Sequence, residues 1–247
     1  TAGVLKDTML LQDLLRVFDD KDAFVREEAG RAVVRFGLKA AAETIRQGLR
    51  LRSPRAVLVA IKAAGALYSN EFFDDLVEIY NVNPPQNQAA IVHALGQIND
   101  PRAVPFILKW AERAPVLVKR EIGWACQQFK DSRAVPLLLE YLQEEDAQVV
   151  ANAAYALGAI GDSSAEDALI RTLENVKQDP ITRKAAAWSL GELHSKKAIK
   201  VLVRFASQKV IPVPMLGPEY DSPFVRAECI RSLEKLGATQ ELLKLLN

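Results

Sequence analysis

Apolar and polar positions along this chain fall into seven 14-residue blocks. Asn87–Asp100 reads NQAAIVHALGQIND, and Val149–Asp162, 62 residues further on, reads VVANAAYALGAIGD. Val118–Asp131 (VKREIGWACQQFKD) lies midway between them, and the same frame fits Val25–Leu38, Ala56–Ser69, Thr182–Ser195 and Val225–Ala238. One apolar position runs Phe36, Leu67, Ile98, Phe129, Ile160, Leu193 and Leu236, at spacings of 31, 31, 31, 31, 33 and 43. Within a block, positions 1, 5, 8, 9 and 12 are apolar or small. At ~100° per residue these positions share one stripe, so each block is predicted to be an amphipathic helix.

A second amphipathic stretch precedes each block, as in Arg102–Arg113 (RAVPFILKWAER) and Arg133–Gln143 (RAVPLLLEYLQ). Pro105 and Pro136 lie near the starts of these helices, where a missing N–H costs little. Asp100, Asp131 and Asp162 stand just before them and suit N-caps. Each repeat is therefore an αα-hairpin that cannot bury its apolar stripe alone, and stacking on its neighbours produces a solenoid. The expected fold is all-α, with about seven helix pairs of 31-residue period and a C-terminal half-repeat, Thr239–Asn247. One domain is expected over 1–247, with repeats at about 8–38, 39–69, 70–100, 101–131, 132–162, 163–195 and 196–238.

The pattern V-R-x-x-A-x-x-A-L-G-x-I-G-D followed by (S/P)-R-A-V-P-x-L-L resembles the short HEAT repeat of the phycobilisome-lyase type, over about residues 8–247. The resemblance implies a right-handed α-α superhelix, with the first helix of each pair on the convex side and the second on the concave side. It also implies a scaffold, an adaptor or a bilin-lyase subunit.

Two repeats depart from the period. The sixth carries two extra residues near Asn175–Pro180, and the seventh carries twelve within Gln208–Pro223. Pro212, Pro214, Pro218 and Pro223 are expected to stiffen that insertion and to forbid helix there. Val210, Ile211, Val213, Met215, Leu216 and Tyr220 make it apolar for a connection, which suits either a loop packed on its own repeat or a binding segment.

Positions 3, 7, 10 and 14 of a block point away from the stripe, which on a solenoid means the inner groove. Position 7 reads Arg31, Lys62, His93, Trp124, Tyr155, Trp188 and Arg231. Three large aromatics thus occupy consecutive repeats at a position that a solvated helix fills with Lys, Glu or Gln. Neighbouring helices pack ~8–10 Å apart, so these rings are expected to form one strip. Arg120 and Lys184 sit one turn before Trp124 and Trp188, where cation–π stacking would contribute ~0.5–1 kcal/mol each. Asn152, Gln97, Gln127 and Gln128 add hydrogen-bonding groups. The expected partner-binding set is Arg31, Lys62, His93, Arg120, Trp124, Tyr155, Lys184, Trp188 and Arg231, types enriched at interface hot spots. The competing reading has the rings lying across neighbouring helices as a cover for the core.

Composition narrows the chemistry. Lys and Arg number 32 against 31 Asp and Glu, a net charge of +1. That balance, with Glu27, Glu121 and Glu192 on the groove, argues against nucleic acid, which needs a concentrated basic face. The two cysteines, Cys126 and Cys229, fall at positions 9 and 5 of their blocks, on the buried stripe, and read as packing residues. His93 reads as a polar groove residue and His194 as a loop residue, with no paired His-Glu motif beside either. Glu27, Glu28, Glu121, Asp100, Asp131 and Asp162 read as solvated faces and caps. No Gly-rich phosphate loop, nucleophile elbow or Cys-His pairing is present, so no catalytic residue, metal or cofactor is expected. No apolar run approaches ~18 residues and no signal-peptide pattern opens the chain, so a cytoplasmic setting is the default. The chain opens at Thr1 and neither end is conspicuously polar. The array is therefore expected to continue in a longer parent protein or to pack its ends on a partner. The expected function is a non-catalytic scaffold holding a peptide or protein in its groove. The alternative is a bilin lyase subunit in which Trp124, Tyr155 and Trp188 cradle a tetrapyrrole.

Overall fold

A computed structural model describes residues 2–207 and 222–245, with side chains from residue 9 onward. Among the described residues all regular structure is helical, and it alternates in pairs. α1 (Ala2–Val17) precedes α2 (Ala23–Arg35), α3 (Leu38–Leu49) precedes α4 (Pro54–Ala66), and α5 (Phe73–Ile79) precedes α6 (Pro85–Ile98). α7 (Ala103–Ala111) and α8 (Val116–Phe129) follow, then α9 (Val135–Tyr141) with α10 (Ala147–Ile160) and α11 (Glu166–Glu174) with α12 (Pro180–Glu192). α13 (Ile199–Ala206), α14 (Pro223–Lys235) and the short α15 (Thr239–Lys244) complete the order. The architecture is an α-α solenoid. The chain divides into two compact units, Thr1–Ala125 and Cys126–Asn247.

The second helices begin about two residues ahead of the 14-residue blocks and end before position 13. Caps explain the shift. Asp22 accepts hydrogen bonds from the amides of Phe24 and Val25, Asp146 from those of Gln148 and Val149, and Asp179 from that of Ile181. Pro54, Pro85, Pro180 and Pro223 stand in the first turns of α4, α6, α12 and α14, where proline's fixed φ is already helical. Pro223 therefore opens a helix rather than stiffening a loop. The rest of the proline-rich insertion, residues 208–221, lies outside the described residues.

Each of these helices stops at a residue in the left-handed region: Gly37, Tyr68, Asn99, Lys130, Gly161, His194 and Gly237. Their spacings repeat those of the apolar frame, so the same turn closes every hairpin. Asp131 and Asp162 cap as expected, but what they cap is a single 3-10 turn placed ahead of α9 and α11. Asp100 likewise accepts from the Arg102 amide at 2.9 Å. Position 14 thus caps the following helix instead of lining a groove.

Position 10 corrects the expectation most sharply. It is Gly65, Gly96, Gly158 and Gly191 in four repeats, and all four are buried. A Cβ at Gly158 would stand 2.7 Å from the Cα of Ser189, and one at Gly65 would stand 2.9 Å from the Cα of Ala94. These glycines face the next second helix and let its backbone approach closely. Position 3 is mixed, with Ala89 and Ala151 buried and Arg120 and Lys184 half-buried. In the C-terminal unit, hydroxyls complete the contact. Ser189 Oγ donates to the Ala154 carbonyl at 2.7 Å, and Ser232 Oγ donates to that of Ala187 at 2.8 Å. The core beneath is aliphatic and aromatic, with Phe18, Phe72, Phe205, Ile61, Leu95 and Leu157 fully buried. Cys126 and Cys229 are buried in it, and burial pushes the Cys126 thiol up to about 12. No helix among the described residues is long and apolar enough to cross a membrane.

Candidate functional site

Position 7 remains accessible while its flanks are buried. Arg31, Lys62 and Arg231 are exposed, and His93, Trp124, Tyr155 and Trp188 are half-buried. Helix periodicity forces this: positions 5, 8 and 9 turn into the core, which leaves position 7 at the edge of the stripe.

In the N-terminal unit, Arg31 and Lys62 line a cleft of about 590 Å³ between α2 and α4. Arg31 is held on its own helix by Glu27 at 2.9 Å and by Glu28. A second cleft, of about 820 Å³, brings Lys62 together with His93 and Glu121. The His93 imidazole stacks on Trp124, with ring centroids 4.1 Å apart and planes 14° from parallel. Its Nδ1 lies 2.9 Å from Glu121 Oε2. A carboxylate only accepts, so Nδ1 carries the proton and Nε2 is left for another partner. Glu121 is therefore engaged with His93 rather than simply solvated. Trp124 in turn covers Gly96, where a Cβ would come within 2.6 Å of the indole. Arg120 sits half-buried one turn earlier on α8.

In the C-terminal unit, Tyr155 meets Trp188 edge to face at 5.3 Å and 67°. Burial raises the Tyr155 phenol above its usual range, and the Glu228 carboxylate adds to the effect. Glu228 is itself buried and bonds Arg231 at 3.0 Å, so the Arg231 guanidinium balances an interior charge. Trp188 is engaged by Tyr155, and Lys184 forms no cation–π contact with the indole. Cation–π contacts do form elsewhere, with Arg102 over Phe73 at 4.2 Å and Arg183 over Phe205 at 4.6 Å.

One cluster was missed in the sequence. Tyr80 and Trp110 stack at 3.7 Å and 5° from parallel on the first-helix side of the N-terminal unit, with Phe106 beside Trp110 at 6.1 Å. The available signal was their spacing of 30 residues at the ends of consecutive first stretches. No group of three or more His, Cys, Asp or Glu side chains placed to hold a metal ion occurs among the described residues.

Comparison with known proteins agrees with this architecture. The sequence matches the family model for HEAT repeats over residues 73–157 and 143–213. Among solved structures, the E. coli protein YibA is similar at 17% identity and a TM-score of 0.69, covering 95% of this chain and 84% of that one. The complex of CpcE and CpcF of phycocyanin lyase from Nostoc sp. PCC7120 is similar at 15% identity and a TM-score of 0.56, covering 96% and 92%. An engineered protein is similar at 17% identity and a TM-score of 0.57, covering 96% and 71%. No curated protein matches the sequence.

Proposed function

This chain belongs to the HEAT-repeat family, a helical-repeat scaffold, and on that premise we propose that it binds a peptide or protein partner through the position-7 face of its second helices. One observation carries the reading: two paired-ring clusters, His93 with Trp124 and Tyr155 with Trp188, stand half-exposed at the same register of four repeats. Half-buried aromatic side chains, fixed by a neighbour before any partner arrives, lose little conformational entropy on binding. Arg31, Lys62, Arg120, Lys184 and Arg231 supply the polar and cationic surround. No step of chemistry is assigned to the face.

The test is retention of a partner from lysate of the source organism. Wild type is compared with a Trp124→Ala/Tyr155→Ala/Trp188→Ala variant whose helicity is checked by circular dichroism. The captured protein is then titrated, purified, against both. Loss of at least ~10-fold in affinity, about 1.4 kcal/mol, supports the reading, and equal affinity overturns it. The phycocyanin lyase likeness offers a second reading, in which the same rings hold a bilin. Coexpression with a bilin and an acceptor protein, with visible absorbance transferred to the acceptor, would favour it.

A further inference from the structure

The interface between α2 and α4 is built unlike the second-helix interfaces that carry a glycine at position 10. Its position-10 residue is Val34, where four other repeats have a buried glycine. The glycine of α2 comes one turn earlier, and a Cβ on Gly30 would meet Val59, its Cγ1 at 2.8 Å and its carbonyl oxygen at 3.9 Å. α4 stands off from α2, and the gap is the cleft of about 590 Å³, floored by Val34, Leu58, Val59 and Ala63. An apolar floor left open to water is a cost that a ligand relieves.

The rim carries positive charge that the fold does not consume. Arg55 is paired with Asp19 at 2.5 Å, and Arg31 with its two glutamates. Arg26 donates to the carbonyls of Asp20 and Lys21 at 2.8 and 3.0 Å and is close enough to the Asp19 carboxylate to help hold it ionised, so its charge is partly balanced. Arg35 and Lys62 have no acidic partner among the described residues. Arg35, Lys62 and the partly balanced Arg26 therefore surround an apolar slot.

We infer that this cleft is a docking site for an acidic protein segment, one that seats apolar side chains on the floor and places carboxylates against Arg26, Arg35 and Lys62. The inference deepens the partner-binding reading and rests on it for the class of occupant. Charge complementarity selects acid, and the floor selects a segment with apolar anchors. A phosphate backbone would satisfy the rim but leave the apolar floor wet. The same cleft shares Arg26, Leu58 and Lys62 with the one that holds His93, so a single segment can run from the cationic slot toward the His93–Trp124 pair.

The experiment is fluorescence anisotropy on the full chain with a labelled peptide of about 15 residues, Leu at helical spacing and Glu elsewhere. Comparators are the Glu→Gln peptide, the Leu→Ser peptide and a short DNA duplex. The Glu/Leu peptide is expected to bind, with each peptide comparator at least ~10-fold weaker and with affinity falling as salt rises. Arg35→Glu and Lys62→Glu should each weaken it roughly 5- to 10-fold, and Arg35→Gln and Lys62→Gln less, because reversal adds repulsion to the loss of attraction. Both sites are exposed, and unchanged circular dichroism excludes misfolding. The Trp124→Ala/Tyr155→Ala/Trp188→Ala variant should keep most of the affinity for this short peptide, which separates the slot from the aromatic clusters. Equal binding of the Gln peptide, indifference to both reversals, or no binding overturns the docking site while leaving the aromatic reading intact. Tighter, reversal-sensitive binding of the duplex overturns it in favour of a nucleic-acid surface.

Discussion

The α2–α4 and α10–α12 interfaces occupy equivalent places in their repeats and have opposite character. At α10–α12, Gly158 admits the Ser189 backbone, the single Ser189 O–H is shared between the Ala154 and Ala185 carbonyls, and Tyr155 meets Trp188 edge to face on the surface above. At α2–α4, Val34 takes the glycine's place, the helices touch far less, and an open cationic slot results. Valine at position 10 accompanies the open cleft, and glycine accompanies the close approach. Position 7 then decides what chemistry that surface offers. Close packing is set at position 10 and the accessible side chains at position 7 of the same repeat, and the two meet directly where Trp124 covers Gly96.

Breaking this contrast gives predictions of graded size. The largest effect is expected from Gly158→Ala, whose Cβ meets backbone that cannot give way. Overpacking should outweigh the gain in helix propensity and cost about 2 kcal/mol by denaturant titration. Gly30→Ala, whose Cβ crowds the Val59 side chain but no backbone atom closer than 3.9 Å, should cost less, about 1 kcal/mol. Comparable losses in the two variants would remove the basis of the contrast. Ser189→Ala should cost about 1 kcal/mol through its lost hydrogen bonds to Ala154 and Ala185.

A similar magnitude, of opposite sign, is expected at Lys130, which holds a φ of 52° that disfavours a side chain. Lys130→Gly should raise the melting temperature, gaining about 1 kcal/mol, whereas Gly161→Ala at the equivalent turn should lose about as much. The smallest effect concerns the caps that both units share. The Arg133 guanidinium beside Asp131 holds its carboxyl below the ordinary 3.8, as Arg102 does for Asp100. Because the folded-state value is depressed, the stabilisation is complete above 3.8 and is lost as pH falls through the folded value. Asp131→Asn should flatten the stability profile in that acid window and nowhere else.

The repeat, its hairpins and the register of position 7 were legible because helical period and apolar spacing are properties of a single stretch of chain. Position 10 was not. A glycine adds nothing to a pattern of polarity, and its meaning lies in the backbone of the next repeat, as with Gly158 against Ser189. The His93–Glu121 bond escaped for a related reason, since its partners belong to different blocks and 28 residues separate them. Glu228 is drawn inside beside Tyr155, with Arg231 bonded to it, and an acid's burial is not written in its residue type. The Tyr80–Trp110 stack lies on first helices, whose shorter apolar runs say little about which ends meet.

Sealing both thiols in the core leaves the outside of this scaffold without a target for thiol-directed reagents. With Cys126 pushed up to about 12 and Cys229 without exposure, a maleimide probe has nothing native to attack. A single cysteine placed at Lys62 or Trp188 then becomes a unique address, from which a photo-crosslinker reports which surface a bound partner touches.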